Sequence, residues 1–441
     1  MSENFPTDWQ KISLGEIGCF STSSVDKLIE ANEYPVKLIN YMDVYRHNRL
    51  NHSIEFMDVT ASSIEKIKSQ VLMGDIIFTP SSETPDDIGY SAVVEDNMNC
   101  ILHSYHTVRL RPSEKTSLNV IFSSWFLNAE YVRNQFARKC AGSTRYTLSL
   151  PAFKSTFCVL PCNIYEQQKI ATILTSIDTA IKKTEALIHK CQQIKAGLMH
   201  DLFTRGVTAD GKLRPPREQV PELYQETLIG WIPKDWSINS FGEQISIIDP
   251  NPSHRYPLEV DDGVPLCSTE NFVGEDDFTL DKAKLVAIDT FSQQNNRCGF
   301  FIDDVIFARK GKIGLARRYG VKKKAFSHTV VIFKARSQQI SSKWLLWLSR
   351  SDWLLKAIDV TMNSNSGVPT LGVGFIGKIE VPFPSIEEQR LAAINLDAIA
   401  LRICRENQSL AKLQLQKKGL MQDLLTGKVR VKLDQPETAN V

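Results

Sequence analysis

The sequence predicts an α+β fold in which two similar domains are separated by two long helices that form an antiparallel coiled coil, a tandem repeat with pseudo-two-fold symmetry. The first observation is an internal duplication, because residues 166–204 align without a gap with the segment that begins at Glu388, at a constant offset of 222 residues. The second is that the phrase PTDW at residues 6–9 returns as PKDW at residues 233–236, at an offset of 227 residues. The whole first half of the chain is therefore duplicated, and not only its helix.

Both copies of the long segment have the residue spacing of a coiled coil, with apolar residues alternating by four and three as heptad positions a and d do. The interruptions coincide as well, Thr184 with Glu406 and Lys195 with Lys417. Since such a stripe is best buried against another such stripe, we predict that the two helices pair with each other rather than each lying on a globular core. The predicted contact positions are Ile170, Leu174, Ile177, Ile181, Ile188, Leu198, Leu396, Ile399, Ile403, Leu410, Leu413 and Leu420.

The duplication also predicts the domain boundaries. The predicted segments are a first domain at 1–165, a helix at 166–205, a linker at 206–230, a second domain at 231–386, a helix at 387–427 and a C-terminal tail at 428–441. The linker is rich in proline and mixed charges and is longer than the usual loop inside a domain, so we expect a tether. Such a tether lets the second helix, about 57 Å long at about 1.5 Å per residue, lie antiparallel to the first.

The same order of elements is expected in each domain: two strands, an aromatic helix, a Gly/Ser/Thr-rich loop and a last strand. In the first domain these lie at 74–78, 103–110, 124–136 and 141–146, with the last strand ending at Pro161. In the second they lie at 303–311, 326–333, 344–358 and 363–370, with the last strand ending at Pro382. This order pairs His106 with His328, and we expect both to be framework residues rather than ligands.

Composition limits the class of protein. With 441 residues, of which 42% are hydrophobic, the chain has enough apolar surface for two or three domains. No apolar run is long enough to span a bilayer, and the first ten residues lack a signal peptide, so we expect a cytoplasmic protein. Nine cysteines fit reduced thiols, and Cys158 and Cys162 lack a second ligand pair, so we expect no metal site. The net charge of +2 is too small to indicate a nucleic-acid partner by itself.

Catalytic sequence signals are missing: there is no phosphate-binding loop, no dinucleotide fingerprint and no HExxH. The tetrapeptide DPNP at residues 249–252 is similar to the catalytic tetrapeptide of amino-methyltransferases, but it has no aromatic residue to stack the target base. We therefore expect a proline-shaped turn there. No sequence signal for catalysis or for a bound nucleotide therefore stands.

Basic residues are concentrated at 309–324, where eight of sixteen residues are Lys or Arg and none is acidic. Such a run is either a solvated face or a contact for phosphates. The loop at 141–146 is a weaker equivalent in the first domain. We predict that DNA contacts come from both regions, and that amides in the loop at 363–370 read adenine. The predicted residues are Thr144, Arg145, Tyr146, Arg309, Lys310, Lys312, Lys322, Lys323, Lys324, Asn363, Ser364 and Asn365.

Together these motifs resemble the specificity subunit of type I restriction-modification systems. The resemblance rests on P-x-x-W followed by Gly-Glu in each half, on GDIIF at 74–78, on Glu-Gln at the start of each helix, and on LFTRG at 202–206 and LLTGKVRV at 424–431. It implies two target-recognition domains that read a bipartite double-stranded DNA target. It also implies assembly with two methyltransferase subunits and up to two restriction subunits, which carry S-adenosylmethionine, ATP and Mg²⁺, while the specificity subunit is not an enzyme.

Two other classes stay open on the residues alone. One is a two-headed coiled-coil scaffold that binds proteins and not DNA, and the other is a stand-alone DNA methyltransferase or nuclease with divergent motifs.

One departure from exact symmetry is visible: Pro161 stands five residues before Glu166, whereas Pro382 stands six before Glu388. We therefore expect the two joints between domain and helix to differ in detail.

Overall fold

The first half of the chain folds into short strands and helices that lead into one long helix. The computed structural model describes residues 5–362 and 370–433. The strands are β1 (Trp9–Ser13), β2 (Gly18–Thr22), β3 (Tyr34–Ile39), β4 (Arg49–Leu50), β5 (Met57–Ala61), β6 (Ile76–Phe78), β7 (Ser81–Ser82), β8 (Ser91–Val94), β9 (Ile101–His103), β10 (Val108–Pro112), β11 (Tyr146–Thr147) and β12 (Phe157–Pro161). The helices are α1 (Leu14–Ile17), α2 (Tyr41–Arg46), α3 (Ser63–Lys68), α4 (Val120–Phe126), α5 (Glu130–Lys139), α6 (Leu150–Lys154) and the long α7 (Ile164–Thr204).

The second half repeats this plan and ends in a second long helix. Its strands are β13 (Tyr224–Thr227), β14 (Gly230–Pro233), β15 (Ser237–Ser240), β16 (Ile245–Ile248), β17 (Glu259–Cys267), β18 (Phe272–Val273), β19 (Asp277–Phe278), β20 (Lys284–Val286), β21 (Val305–Ala308), β22 (Ala316–Arg318), β23 (Ala325–Phe326), β24 (Val330–Ala335) and β25 (Glu380–Phe383). Its helices are α8 (Phe241–Gln244), α9 (Ile288–Cys298), α10 (Ser342–Ser349), α11 (Asp352–Met362), α12 (Val373–Lys378) and α13 (Ile386–Leu424).

The sheets of the two halves match strand by strand. The order β2-β10-β6-β8 in the first half corresponds to β16-β24-β21-β22 in the second, and β5-β3-β9 corresponds to β20-β17-β23. The strand that opens each half pairs with the strand that closes it, β1 with β12 and β15 with β25. The predicted α+β class and the internal repeat are therefore confirmed at the level of topology.

Strand register corrects one detail of the repeat. Val108 lies opposite Phe78, and Val331 lies opposite Phe307, so the two positions correspond. Counting back from them places Tyr105, and not His106, at the position of His328. The sequence alignment was therefore wrong by one residue here, because only hydrogen-bond register distinguishes neighbouring positions in a turn.

Each predicted aromatic helix is two helices, α4 with α5 and α10 with α11. A polar side chain accounts for each break. Asn128 donates to the carbonyl oxygens of Ser91 and Ser124 at 2.9 and 3.1 Å, and Arg350 donates to the carbonyl oxygen of Ala316 at 2.9 Å. The bonds to Ser91 and Ala316 tie each break to a neighbouring strand, β8 in the first half and β22 in the second.

The described residues divide into two compact units, 5–185 with 408–433, and 186–362 with 370–407. Each unit contains one domain, part of α7 and part of α13. In the first unit Leu174 shares a core with Leu424, and Asp178 forms an ion pair with Lys417. In the second unit Leu202 shares a core with Ala392. Higher residue numbers in α7 meet lower ones in α13, so the paired segments run antiparallel, as predicted.

The contact positions predicted for the coiled coil are buried or half-buried along both helices. The matched lysine interruptions also have a structural explanation. Lys195 lies over the ring of Trp347 at 5.4 Å and pairs with Glu275, while Lys417 lies over the ring of Trp125 at 5.2 Å. Each lysine thus fills a coiled-coil position by contacting the equivalent tryptophan of the domain in its own unit.

The repeated Glu-Gln pair joins each long helix to its domain. Gln167 donates to the carbonyl oxygens of Pro161 and Ser117 at 3.0 Å each and accepts from the Asn119 N–H at 2.8 Å. Gln389 makes the same three bonds, donating to Pro384 and Gln339 and accepting from the Ser341 N–H at 2.9 Å. The acceptor in the second unit is Pro384 and not Pro382, and it lies one residue nearer its glutamine than Pro161 does, so the two joints differ in detail.

An arginine completes each joint. Arg430 pairs with Glu166 at 2.7 Å and with Asp8 at 2.8 Å in the first unit. In the second unit Arg214 pairs with Glu388 and Asp235, both at 2.5 Å. The segment after each long helix therefore closes onto the start of the other helix and onto the PxDW phrase of that unit.

The segment at 206–230, expected to act as a tether, has local structure. It contains the buried Arg214 and the strand β13, which pairs with β14 beginning at Gly230. Within residues 5–362 and 370–433, no helix is long and apolar enough to cross a membrane.

Candidate nucleic-acid interface

Each domain brings three segments together at one corner of its sheet. In the first domain the segment after β6 is joined to the loop before α6, because the Leu148 N–H donates to the carbonyl oxygen of Pro80 at 2.8 Å. In the second domain the Leu371 N–H donates to the carbonyl oxygen of Arg309 at 2.9 Å. The third segment is the turn before β10 or β24, which contains Tyr105 or His328. We refer to these two places as the first corner and the second corner.

The first corner holds the residues predicted for the first domain. Tyr146 pairs with Ser82 as part of β11 and is half-buried, whereas Thr144 and Arg145 are exposed. Arg145 donates to the hydroxyl oxygen of Ser81 at 3.2 Å. The loop is thus fixed at both ends by the sheet, with its polar tip free to contact a ligand.

The environment of the first corner is positive. Partial burial, and then the charges of Lys27 and Arg145, lower the pKa of His106. The ring of His106 lies against that of Tyr105, with centroids 3.8 Å apart. Cationic, aromatic and hydroxyl groups therefore converge on the loop at 141–146, a combination that suits phosphates and base edges.

The basic run of the second domain does not form one continuous surface. Arg309 is buried and pairs with Asp249 at 2.6 Å. Lys324 is also buried, and it donates to the carbonyl oxygen of Lys322 at 2.8 Å. The prediction of DNA contact by Arg309 and Lys324 is therefore withdrawn, because both side chains point into the domain and already have partners.

The exposed members of the run lie at two separate places. Lys310 is half-buried and Lys312 exposed, both in the turn that joins β21 to β22 at the second corner. Lys322 and Lys323 are exposed in the turn after β22, at the opposite end of this hairpin. Arg318, between them, pairs with Asp397 of α13 at 2.8 Å. Four of the eight basic side chains of the run, those of Arg309, Arg317, Arg318 and Lys324, therefore have structural partners.

The backbone of Lys310 forms a β-bridge with that of Thr370 in the second corner. Ser81 pairs with Thr147 in the same way in the first corner. The predicted base readers Asn363, Ser364 and Asn365 lie outside the described residues. Within the described residues, no cluster of three or more His, Cys, Asp or Glu side chains has the arrangement of a metal site.

Sequence reasoning missed a ring cluster at the second corner. The ring of His328 stacks on His254 with centroids 5.2 Å apart and meets Tyr256 edge-on at 5.3 Å. Both partners lie in the loop at 249–258, which contains the DPNP tetrapeptide. That tetrapeptide is a turn, as expected, since the Asn251 N–H donates to a carboxylate oxygen of Asp249 at 2.9 Å. The available signal was the position of this loop directly after a repeated strand.

The sequence of this chain is similar to those of known proteins. Residues 6–192 match the family model of the type I restriction modification DNA specificity domain. The chain is 22% identical to the type I restriction enzyme MjaVIII specificity subunit of Methanocaldococcus jannaschii, over 97% of this chain and 94% of that protein. The putative type I restriction enzyme MjaX specificity subunit of the same organism is also 22% identical, over 97% of this chain and 95% of that protein.

A solved structure shares the fold. The S subunit of a type I restriction-modification system from M. genitalium has a TM-score of 0.57 at 15% identity and covers 98% of both chains. Two similar α+β domains with paired long helices, together with the family match, define a DNA-specificity protein. Residues 6–192 therefore carry a type I restriction modification DNA specificity domain, and nearly the whole chain is similar to specificity subunits of type I restriction-modification systems.

Proposed function

We propose that the domains at 1–165 and 231–386 each read one half of a bipartite DNA target, and that the helices at 166–205 and 387–427 fix the gap between the half-sites. The observation that supports this proposal most directly is the repeated corner. The same three segments meet in both domains but carry different side chains, Tyr105 in one and His328 in the other. A shared framework with different side chains suits two different half-sites.

The first corner would contact DNA through Thr144, Arg145 and Tyr146. Arg145 is exposed, and a guanidinium bonds either a phosphate or the major-groove edge of guanine. Its bond to Ser81 holds it over the loop, which limits the rotamers it must give up on binding. Hydroxyls of the kind on Thr144 and Tyr146 suit phosphate and base contacts alike.

The second corner would contact phosphates through Lys310 and Lys312, with Asn363, Ser364 and Asn365 as base readers. An asparagine amide recognises adenine by two hydrogen bonds, which is the reason to assign these residues to the bases. Lys322 and Lys323, at the far end of the hairpin, would add phosphate contacts farther along the duplex. Exposed lysines bind phosphates by releasing condensed counterions.

The chain would assemble with two methyltransferase subunits and up to two restriction subunits in the cytoplasm. S-adenosylmethionine, ATP and Mg²⁺ would be bound by those subunits. Charged side chains on the outer faces of the helices are available for this assembly, and Lys182, Lys183, Arg402 and Lys412 are exposed. Each helix would thus present one face to its partner helix and another to the methyltransferase subunits.

The test is to map methylated positions in DNA from cells that express this chain with a matching methyltransferase subunit. The proposal predicts a split motif, two short specific sequences with a constant gap. A continuous palindrome contradicts it. A protein scaffold would instead give binding that is insensitive both to salt and to DNA, whereas phosphate contacts make affinity fall steeply with salt.

A further inference from the structure

The loop at 249–258 of the second domain is a rigid projection rather than a simple connection. The buried Asn251 donates to the carbonyl oxygen of Arg255 at 2.8 Å and accepts from the hydroxyl of Ser253 at 2.9 Å. His254 has a φ of 54°, a left-handed conformation that a non-glycine residue adopts at a cost. The side chains at 252–256 are exposed.

Arg309 holds this projection against the second corner. Its guanidinium donates to a carboxylate oxygen of Asp249 at 2.6 Å and to the carbonyl oxygen of His328 at 2.9 Å, and it lies 3.2 Å from Nε2 of His254. The side chain of Arg309 is only 6% exposed. A single buried cation therefore joins the loop, the strand β21 and the turn before β24.

The outward side of this assembly is aromatic, polar and open to solvent. Tyr256 is 58% exposed and His254 is also exposed, while His328 is half-buried between them. Partial burial, and then the charge of Lys310, lower the pKa of His328. The Nδ1 atom of His328 is buried without a hydrogen-bond partner among the described residues, which leaves Nε2 to meet a base edge as donor or acceptor. Lys310, next to Arg309 in the chain, places a cation beside the rings.

A polar cavity of about 340 Å³ lies against the same loop and includes Arg255, Arg297 and Gln293 among its lining residues. Two arginines beside the ring cluster give the projection a phosphate-binding chemistry in addition to its rings. The first domain differs at the equivalent place after β2. There the Tyr105 N–H donates to the carbonyl oxygen of Val25 at 3.0 Å, and Lys27 is the neighbouring cation.

We propose that His254, Tyr256 and His328 form a base-reading edge that determines the half-site of the second domain, and that Arg309 is the positioning residue that holds this edge in place. This inference rests on the proposed function, because it requires the second domain to read one half of a split target. It assigns a specificity role to a loop outside the residues predicted from the sequence. The equivalent edge of the first domain is formed by Tyr105 and His106.

The experiment maps methylation motifs produced by the full chain with its methyltransferase subunits. In the variant that combines His254→Ala, Tyr256→Ala and His328→Ala, we expect discrimination to fall about 10- to 100-fold at one or more bases of one half-site only. The matched control combines Tyr105→Ala and His106→Ala, and it should relax the other half-site only. If the triple variant keeps the wild-type motif unchanged, the inference is overturned.

Arg309 requires a separate readout because it is buried. Arg309→Lys retains the charge and should keep the half-site, whereas Arg309→Met should relax the same half-site as the triple variant and leave the other unchanged. Complete loss of methylation in both Arg309 variants would show a purely structural role and overturn the positioning assignment. If the wild-type chain itself gives no split motif, the proposed function fails. A wild-type split motif with an unaffected triple variant refutes this inference alone.

Discussion

Replacing Arg214 with methionine should destabilise the second unit more than the same change at Arg430 destabilises the first. The Arg214 side chain is 8% exposed and that of its partner Glu388 is 6% exposed. Without Arg214, the donors left to the Glu388 carboxylate among the residues that the structure describes are the Val207 N–H at 2.8 Å and the Trp236 indole N–H at 3.1 Å. A buried charge would thus lose its counter-ion.

Breaking a buried ion pair from one side costs about 3–5 kcal/mol. In the first unit the Arg430 side chain is 43% exposed but its partner Glu166 is only 3% exposed, so removing Arg430 also leaves a buried carboxylate, although beside a position that is open to water. The expected loss there is smaller, about 1–3 kcal/mol. A urea slope of about 2–3 kcal/mol per molar converts the larger loss into a midpoint about 1–2 M lower. The assay is urea unfolding followed by tryptophan fluorescence and circular dichroism.

The double variant Arg214→Met with Glu388→Gln is the control for this reasoning. It removes the uncompensated charge, so it should be more stable than Arg214→Met alone. Equal losses for Arg214→Met and Arg430→Met would refute the argument that burial decides the cost. A double variant less stable than Arg214→Met would refute the assignment of that cost to the stranded carboxylate.

Two further predictions concern pH and salt. Burial, followed by the charges of two nearby arginines, lowers the pKa of His103 from 6.5 to about 3. Between these two pH values the unfolded chain binds more protons than the folded chain, so the free energy of unfolding falls as the pH falls through this window. His103→Phe, which copies Phe326 of the second domain, should remove this loss; in thermal unfolding at pH 5 it should be more stable than wild type by about 2 kcal/mol, and an unchanged difference between pH 7 and pH 5 would contradict this. Replacing Lys322 and Lys323 with alanine should weaken binding to all DNA sequences and reduce the slope of log affinity against log salt by about 0.9 per lost phosphate contact. The exposed Lys356, replaced in the same way, should leave that slope unchanged, and equal slopes in all three proteins would reject these lysines as phosphate contacts.

The fold could be predicted from the sequence where a pattern repeats at long range. The heptads of the two helices, with Lys195 and Lys417 at matching positions, identified α7 and α13 as partners. The structure adds that each lysine contacts the equivalent tryptophan, and no spacing rule contains that information. The repeated Glu-Gln pair was visible as a motif, but its function as a joint depends on partners up to 50 residues away.

The site was predictable at the level of loops and not of side chains. A run of charges such as 309–324 does not specify which side chains turn inward. Arg309 turns inward to pair with Asp249, which lies 60 residues earlier in the sequence. His254 and Tyr256 were missed for the same reason, since only the fold brings their loop against His328. Contacts between segments that are distant in sequence determine the positions of these side chains, and the local sequence pattern does not predict such contacts.

The most direct test of the central claim uses DNA duplexes that carry both half-sites with the gap varied one base pair at a time. Binding of the chain with its methyltransferase subunits is measured across this series. Two domains joined through paired helices should bind tightly at one gap and lose specific affinity when it changes by one or two base pairs, since each base pair both shifts and rotates the second half-site. Equal affinity at every gap would contradict the account.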